Sequence, residues 1–338
     1  MNGRNPQPRR VTIMDVARAA GVSHQTVSRY LRADPGMREE IRRRIGTAVE
    51  ELGYHPNLVA RSMRTRRSGR LGIVLPPGDT PSMISLLGGA TATAHEAGYA
   101  VEVVLVDGTP QARAGRLAEL AGSGQFEGVL ALTPLPHFAP APGAAPVIVS
   151  ADYDERRRSI GVLADGSLVG TMIERLARLG HRRFLHVAGP AGHPSAQGRR
   201  QAYLAAIERS GLHSHGVVDG DWSGESGMRA GAALPDGCGV TAVIAASDIV
   251  AAGVIRGAWD RGWRVPADLS VTGWDDNPLG RFLPPTLTTV ATDHDRRGRR
   301  AMAELVCTVR GEPAPPDDST PLSRVLWRES TGPAPRTP

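Results

Sequence analysis

Two sets of residues in this 338-residue chain have side chains suited to molecular recognition. The first is Ser23, His24, Gln25, Thr26, Ser28 and Arg29, a compact run of hydrogen-bonding groups. Glutamine can pair with the edge of adenine and arginine with the edge of guanine through two hydrogen bonds each, while small hydroxyls suit phosphates. The second set is dispersed along the chain: Arg199, Asp221-Trp222-Ser223, Ser247-Asp248 and Trp274-Asp275-Asp276. A tryptophan ring offers a flat face to the C–H side of a sugar, and arginine and carboxylates grip adjacent hydroxyls. That chemistry suits a carbohydrate.

Neither set reads as catalytic. There is no Gly-x-Ser-x-Gly elbow, no His-Glu-x-x-His and no glycine-rich phosphate loop after a strand. All 40 basic residues are arginine, which removes every chemistry that needs an ε-amine, from Schiff-base and pyridoxal-phosphate lysines to the Walker A lysine. His193, His213 and His215 sit among glycines and Pro194 without a further ligand cluster, so they read as loop histidines, and neither metal nor cofactor is expected. Cys238 and Cys307 are too few for a disulfide framework or a four-cysteine zinc site, which points to a reducing compartment. Met1 to Arg10 is polar and basic, with no apolar core of a signal peptide. The longest apolar stretch, Val240 to Ile255, is broken by Asp248 and reads as strand plus helix. A cytoplasmic protein without a membrane partner is expected.

The first set needs helices to present it. Residues 1–70 hold 15 arginines against 6 acidic residues, or +9, while the remainder holds 25 against 28, or −3. A basic head on a mildly acidic body fits nucleic-acid binding, or a solvated arm, and periodicity favours the former. Thr12 and Asp15 have the spacing of a capping box, and Ile13, Val16, Ala17 and Ala20 then share one helical face. Gly21 breaks that helix, Ser23 can cap a second, and Val27, Tyr30 and Leu31 form its apolar side. A third helix is expected from Glu39 to Leu52, with Ile41, Ile45, Ala48, Val49 and Leu52 inward. In such a helix-turn-helix the second helix enters the major groove. Asn57 to Met63 is too short to be stable as an isolated helix and must borrow order from elsewhere.

The second set needs strand ends. Apolar runs at Leu71–Leu75, Ala100–Val106, Gly128–Leu132, Val147–Val149, Phe184–Ala188, Ala242–Ala246 and Leu269–Thr272 mostly alternate with helix-length segments. Alternation of this kind implies parallel sheets with helices on both faces, and the length suits two of them. Ligands of such sheets bind beyond the carboxyl ends of the strands, where the second set falls. The expected organisation is a disordered arm over 1–10, a head over 11–56, a hinge helix and linker over 57–69, a body over 70–330 and a disordered tail over 331–338.

Val11 to Ala17, Gly21 to Arg29, Gly53-Tyr54 and Pro56-Asn57 resemble the head of LacI/GalR-family transcriptional regulators. So do segments of the body, among them His181-Arg182-Arg183, Ser270 to Asp276, Leu287 to Val290 and Arg328 to Thr331, so that the resemblance covers nearly the whole chain. It implies a small all-α helix-turn-helix head on an α/β body like the periplasmic binding proteins, with two doubly wound parallel-sheet subdomains and chain crossovers between them. It makes His24 and Gln25 the base-reading pair, with Arg29 one turn later, and places Thr12, Asn57, Ala60 and Met63 at the DNA. Met63 stands where the hinge helix usually carries a leucine wedge. Arg32 and Arg38 stand where a member of the family has uncharged residues, so they are expected to add phosphate contacts.

The resemblance further implies effector contacts from Ser82, Arg199, Trp222, Ser247, Asp248, Asp275 and Thr292. Ser247 replaces a usual Asn, and Thr292 stands where one member has Gln, so both shorten a polar reach. A homodimeric repressor of carbohydrate-utilisation genes is implied, binding near-palindromic double-stranded operator DNA under control of a galactoside or another glycoside. Ser330 to Pro338 is Pro-rich and lacks leucine, so no tetramerising leucine-heptad helix is expected. The rival readings are a sugar-binding transport protein with the same body, an enzyme built on that body, and an architectural DNA binder with a vestigial pocket.

Overall fold

The computed structural model describes residues 11–31, 34–54, 67–75, 81–133, 135, 138–149, 158, 160–316 and 319–335, without the side chains at 81, 82 and 162. The chain divides into two compact units, Met1–Ser68 and Gly69–Pro338. Arg32 and the expected hinge residues Asn57, Ala60 and Met63 lie outside the described residues.

The first unit holds α1 (Ile13–Ala20), α2 (His24–Tyr30) and α3 (Glu39–Glu51). Both halves of the capping box form at α1: the Asp15 amide donates to the Thr12 hydroxyl, and the Asp15 carboxylate accepts from the Thr12 amide. Such a cap stabilises a helix by about 1 kcal/mol. Gly21 ends α1 in the left-handed region at φ 63°, where its amide reaches back to the Ala17 and Arg18 carbonyls. Arg44 Nη2 donates to the freed Ala20 carbonyl at 2.6 Å, so α3 closes the end of α1. Ser23 accepts from the Thr26 amide and starts α2. Val16, Val27 and Ile45 are wholly buried among Ala17, Ala20, Ala48 and Tyr54. Burial of each large side chain contributes roughly 1.5–3 kcal/mol, so this small core rests on few residues.

The second unit begins with β1 (Arg70–Leu75), α4 (Pro81–Glu96), β2 (Ala100–Leu105), α5 (Pro110–Gly122), β3 (Gly128–Ala131) and β4 (Val147–Val149). These strands form a parallel sheet in the order β2-β1-β3-β4. After a short 3-10 turn at Gly161–Ala164 come α6 (Leu168–Arg178), β5 (Arg183–Val187), α7 (Pro194–Arg209), β6 (His213–Val218), α8 (Gly224–Ala232), β7 (Ala242–Ala245), α9 (Asp248–Asp260) and β8 (Ser270–Thr272). They repeat the pattern as a second parallel sheet, β6-β5-β7-β8. All residues of β3 and β7 are buried, as strands covered by helices on both faces require. In each sheet the strand order reverses beside the first strand, between β1 and β3 and between β5 and β7. A crevice opens at such a switch point, beyond the carboxyl ends.

The sequence pattern did not suggest the last three elements, β9 (Thr289–Thr292), α10 (His294–Arg310) and β10 (Ser323–Leu326). β9 and β10 form an antiparallel ribbon beside the second sheet, where the Gly273 amide donates to the Thr288 carbonyl at 2.8 Å. The intervening α10 returns to the first sheet, and its Met302 and Leu305 share a core with Leu71, Ile73 and Leu130. The chain therefore crosses between the two sheets after building both. The tail, expected to be disordered from 331, is instead docked over its described part, where the Gly332 amide donates to Ser270 Oγ at 3.0 Å and the Ala334 amide to the Leu179 carbonyl at 2.9 Å. Among the described residues no helix is long and apolar enough to cross a membrane.

Candidate functional site

The polar residues of the first unit divide into those that build α2 and those that it displays. Ser23 and Thr26 are bonded to each other through their hydroxyls at 2.9 Å and share the cap of the helix. Thr12 is likewise engaged, donating its hydroxyl to Asp15 at 2.7 Å. Ser28 is half-buried with a partner of its own. His24 and Gln25 are exposed on the first turn. Arg29, four residues after Gln25 and so on the same face, is half exposed. Arg38 is exposed at the N-cap of α3 and makes no capping bond with its side chain. A cation there opposes the helix dipole, and a phosphate would offset that cost.

In the second unit the switch point between β5 and β7 is occupied by Arg199. Its helix, α7, follows β5, and its Nη1 crosses to donate to the Ala246 carbonyl at 2.5 Å, just past the end of β7. Only 6% of Arg199 is exposed. Its guanidinium lies 4.3 Å from the centre of the Trp274 ring and 5.7 Å from that of Trp222, within reach of both π faces. Asp275 Oδ1 stands 3.9 Å from Nη2, an ion pair too long to be a hydrogen bond. Nε has no partner among the described residues. A guanidinium has five donors, and a buried one left this far from satisfied is costly unless a ligand completes it. Burial lowers its pKa to about 10, against the pull of Asp275 and Asp248, so it stays cationic at neutral pH.

Trp222, Asp275 and Asp276 are the only non-glycine residues with positive φ among those described, at 68°, 105° and 47°. Each such conformation costs about 1–3 kcal/mol, and all three fall at this crevice. The Trp222 ring lies over Gly189, where any Cβ would collide with it. His193 meets the same ring edge-on at 5.9 Å. Asp275 remains 61% exposed, so its carboxylate faces solvent beside a buried cation. The surrounding protein raises its pKa and Arg199 opposes the shift.

Three of the other expected effector residues, Ser247, Asp248 and Thr292, make bonds within the protein. Ser247 caps α9 by accepting from the Val250 amide at 3.3 Å. Asp248 is buried, accepting from Thr289 Oγ1 on Oδ1 and from the Asn277 amide on Oδ2, each at 2.6 Å. Burial raises its pKa to about 7 despite those two bonds, with Asp275 and Asp276 adding to the rise. Thr292 bonds Ser323 across the β9–β10 ribbon at 2.9 Å. Ser82 lies in α4, and its side chain is outside the described residues. Sequence reasoning missed Thr289, Asn277 and Arg328; the last donates to Asp276 at 2.5 Å and braces the strained loop. Trp274 carried a signal, a tryptophan at a strand end, but was not assigned a contact. Among the described residues no group of three histidine, cysteine or carboxylate side chains could hold a metal.

Comparisons with known proteins agree with this division. Residues 12–57 match the bacterial regulatory proteins of the lacI family, and residues 173–331 match a periplasmic binding protein-like domain. The ribose operon repressor of Escherichia coli K12 is 29% identical over 87% of this chain and 92% of its own length. The HTH-type transcriptional regulator CelR of Thermobifida fusca is 29% identical over 95% of this chain and 98% of its own. Among solved structures, the lac repressor dimer bound to operator and the anti-inducer ONPF superposes with a TM-score of 0.70 at 25% identity, covering 96% of this chain and 99% of that one. A CelR–cellobiose complex gives a TM-score of 0.59 at 27% identity, covering 95% and 100%. These relatives are regulators by name. With a helix-turn-helix head, a twice-repeated α/β body and matches that span both, the chain belongs to the LacI family of transcriptional regulators.

Proposed function

We propose that this protein is a cytoplasmic, homodimeric repressor of carbohydrate-utilisation genes whose operator affinity is set by a small sugar. The observation that carries the effector half is Arg199: buried, cationic, short of hydrogen-bond partners and flanked by Trp222, Trp274 and Asp275 at a sheet switch point. A pocket left without function would gain stability by replacing such a group with an apolar one. Gly220 to Ser223, Ser226-Gly227, Pro81-Ser82 and Ile84 resemble the lac repressor, which favours a galactoside, with another glycoside close behind.

In this reading His24, Gln25 and Arg29 read base edges, Arg32 and Arg38 hold phosphates, and the segment around Asn57, Ala60 and Met63 enters the minor groove at the operator centre. Sugar binding between the two subdomains shifts the dimer toward an arrangement that separates the hinges. A dimer is supported by an apolar surface in the second unit, where Ile249, Leu279 and Phe282 are 53%, 70% and 80% exposed. Beside them is a pocket of about 380 Å³ lined by α8, α9 and Leu279 to Leu287. A monomer seldom leaves such a patch in water.

The test is thermal stability of the full chain against a panel containing ribose, cellobiose and ONPG. A true effector binds the folded state and raises Tm with concentration, and Arg199→Met removes that rise. Absence of any shift across a broad sugar panel would favour the architectural reading.

A further inference from the structure

One acidic side chain sits where a DNA-binding surface should avoid it. Asp34 lies in the turn between α2 and α3, and its Oδ2 accepts from Arg29 Nε at 2.7 Å. The turn fixes Asp34 from several sides. Its amide donates to the Arg29 carbonyl at 3.2 Å, its Oδ1 accepts from the Gly36 amide at 2.9 Å, and its own carbonyl accepts from Arg42 Nη2 at 3.0 Å. The carboxylate is therefore a rigid anchor, and Arg29, half exposed, hangs from it by Nε alone.

We infer that Asp34 is a specificity-determining positioning residue that holds the Arg29 guanidinium end-on toward one guanine in each operator half-site. The inference rests on the reading of α2 as the base-reading helix. With Nε occupied, the free donors are the two Nη groups, which match the O6 and N7 acceptors of guanine in the major groove. An unanchored arginine must give up rotamer freedom to reach that geometry, whereas an anchored one has already lost it. The anchor also has a cost. Its negative charge faces a polyanion, so it weakens sequence-independent attraction while sharpening choice. Those opposite signs distinguish it from a residue that merely shapes the turn, whose loss would weaken both kinds of binding together.

The experiment is selection of bound duplexes from half-sites randomised at each position, using the full-length protein, with affinity for an unrelated duplex measured alongside. Arg29→Ala is expected to erase a guanine preference at one position. Asp34→Ala should lower the same preference about tenfold, hold or raise affinity for the unrelated duplex, and add no further loss to Arg29→Ala. Asp34→Asn keeps an oxygen for the Gly36 amide but turns an amide nitrogen toward Nε, so it should behave as Asp34→Ala even if the alanine variant folds poorly. A guanine preference that survives both Asp34 variants but not Arg29→Ala would overturn the inference. An unchanged profile in Arg29→Ala would instead overturn the reading of α2 on which it rests.

Discussion

The two recognition surfaces are built in opposite ways. The face of α2 is assembled from seven consecutive residues whose positions are fixed by caps three and four residues apart. The Arg199 crevice draws Gly189, Trp222, Ala246, Trp274 and Asp275 from separate strand ends and stores three strained φ angles to do so. The head exposes its polar groups and uses neighbours in sequence to orient them. The body buries a charge and depends on topology to surround it. Damage to the head should therefore alter which DNA is bound while leaving the effector site untouched, and damage to the crevice should do the reverse.

The largest expected effect is on the crevice side. Arg199→Ala should weaken sugar binding by at least about 100-fold, since two or more charge-assisted hydrogen bonds of roughly 1.5–3 kcal/mol each are lost. Calorimetry with the effector found by the panel reads this directly, and unchanged operator affinity without sugar would confirm that the two surfaces are separate. Asp248 gives a signed pH test. Its pKa is about 7 when folded, against 3.8 as the unperturbed value, so the stabilising contribution of its protonated form is complete below pH 4 and is lost as pH rises to about 7. In Asp248→Asn the amide can still accept from the Asn277 amide and donate to Thr289. Its Tm should exceed that of the parent by several degrees at pH 8, on the order of 4 kcal/mol, and match it at pH 4. An equal or lower Tm at pH 8 would show that ionised Asp248 is not a burden.

On the head side, Gln25→Ala should cost ten- to a hundredfold in operator affinity, measured by titration of labelled duplex, with little change for unrelated DNA. A uniform loss on both would demote Gln25 to a phosphate contact. The smallest effect is expected for Arg38→Ala, which should reduce the slope of log affinity against log salt by about 1 while keeping sequence preference. An unchanged slope would remove Arg38 from the DNA surface.

The same contrast explains what could be read from the letters alone. The Thr12–Asp15 box, the Gly21 break and the Ser23 cap are local rules, and the structure shows each of them with its hydrogen bonds. Seven of the eight parallel strands were legible as apolar runs, displaced by a residue or so at their ends; β6 was not, because this edge strand is half polar, and His213 and His215, which read as loop histidines, stand in it. The β9–β10 ribbon was not, because its strands are short, half polar and paired through Thr292 and Ser323 instead of buried on both faces. In the crevice, the strand-end positions of Arg199, Trp222 and Asp275 were legible. The diversion of Ser247, Asp248 and Thr292 to internal bonds was not, since their partners Val250, Thr289, Asn277 and Ser323 are set by how the elements meet. Arg328, which braces Asp276 from 52 residues away, has no local signature at all.

The central claim is that one chain couples these two surfaces, and linkage makes that claim measurable in a single quantity. If sugar weakens operator binding by some factor, operator must weaken sugar binding by the same factor. Calorimetric titration of the effector into the protein, free and saturated with operator duplex, should give dissociation constants differing about 5- to 150-fold, the usual span of allosteric coupling. Weaker binding in the presence of operator is predicted for an inducer and tighter binding for a corepressor. Equal constants in the two titrations would contradict the account.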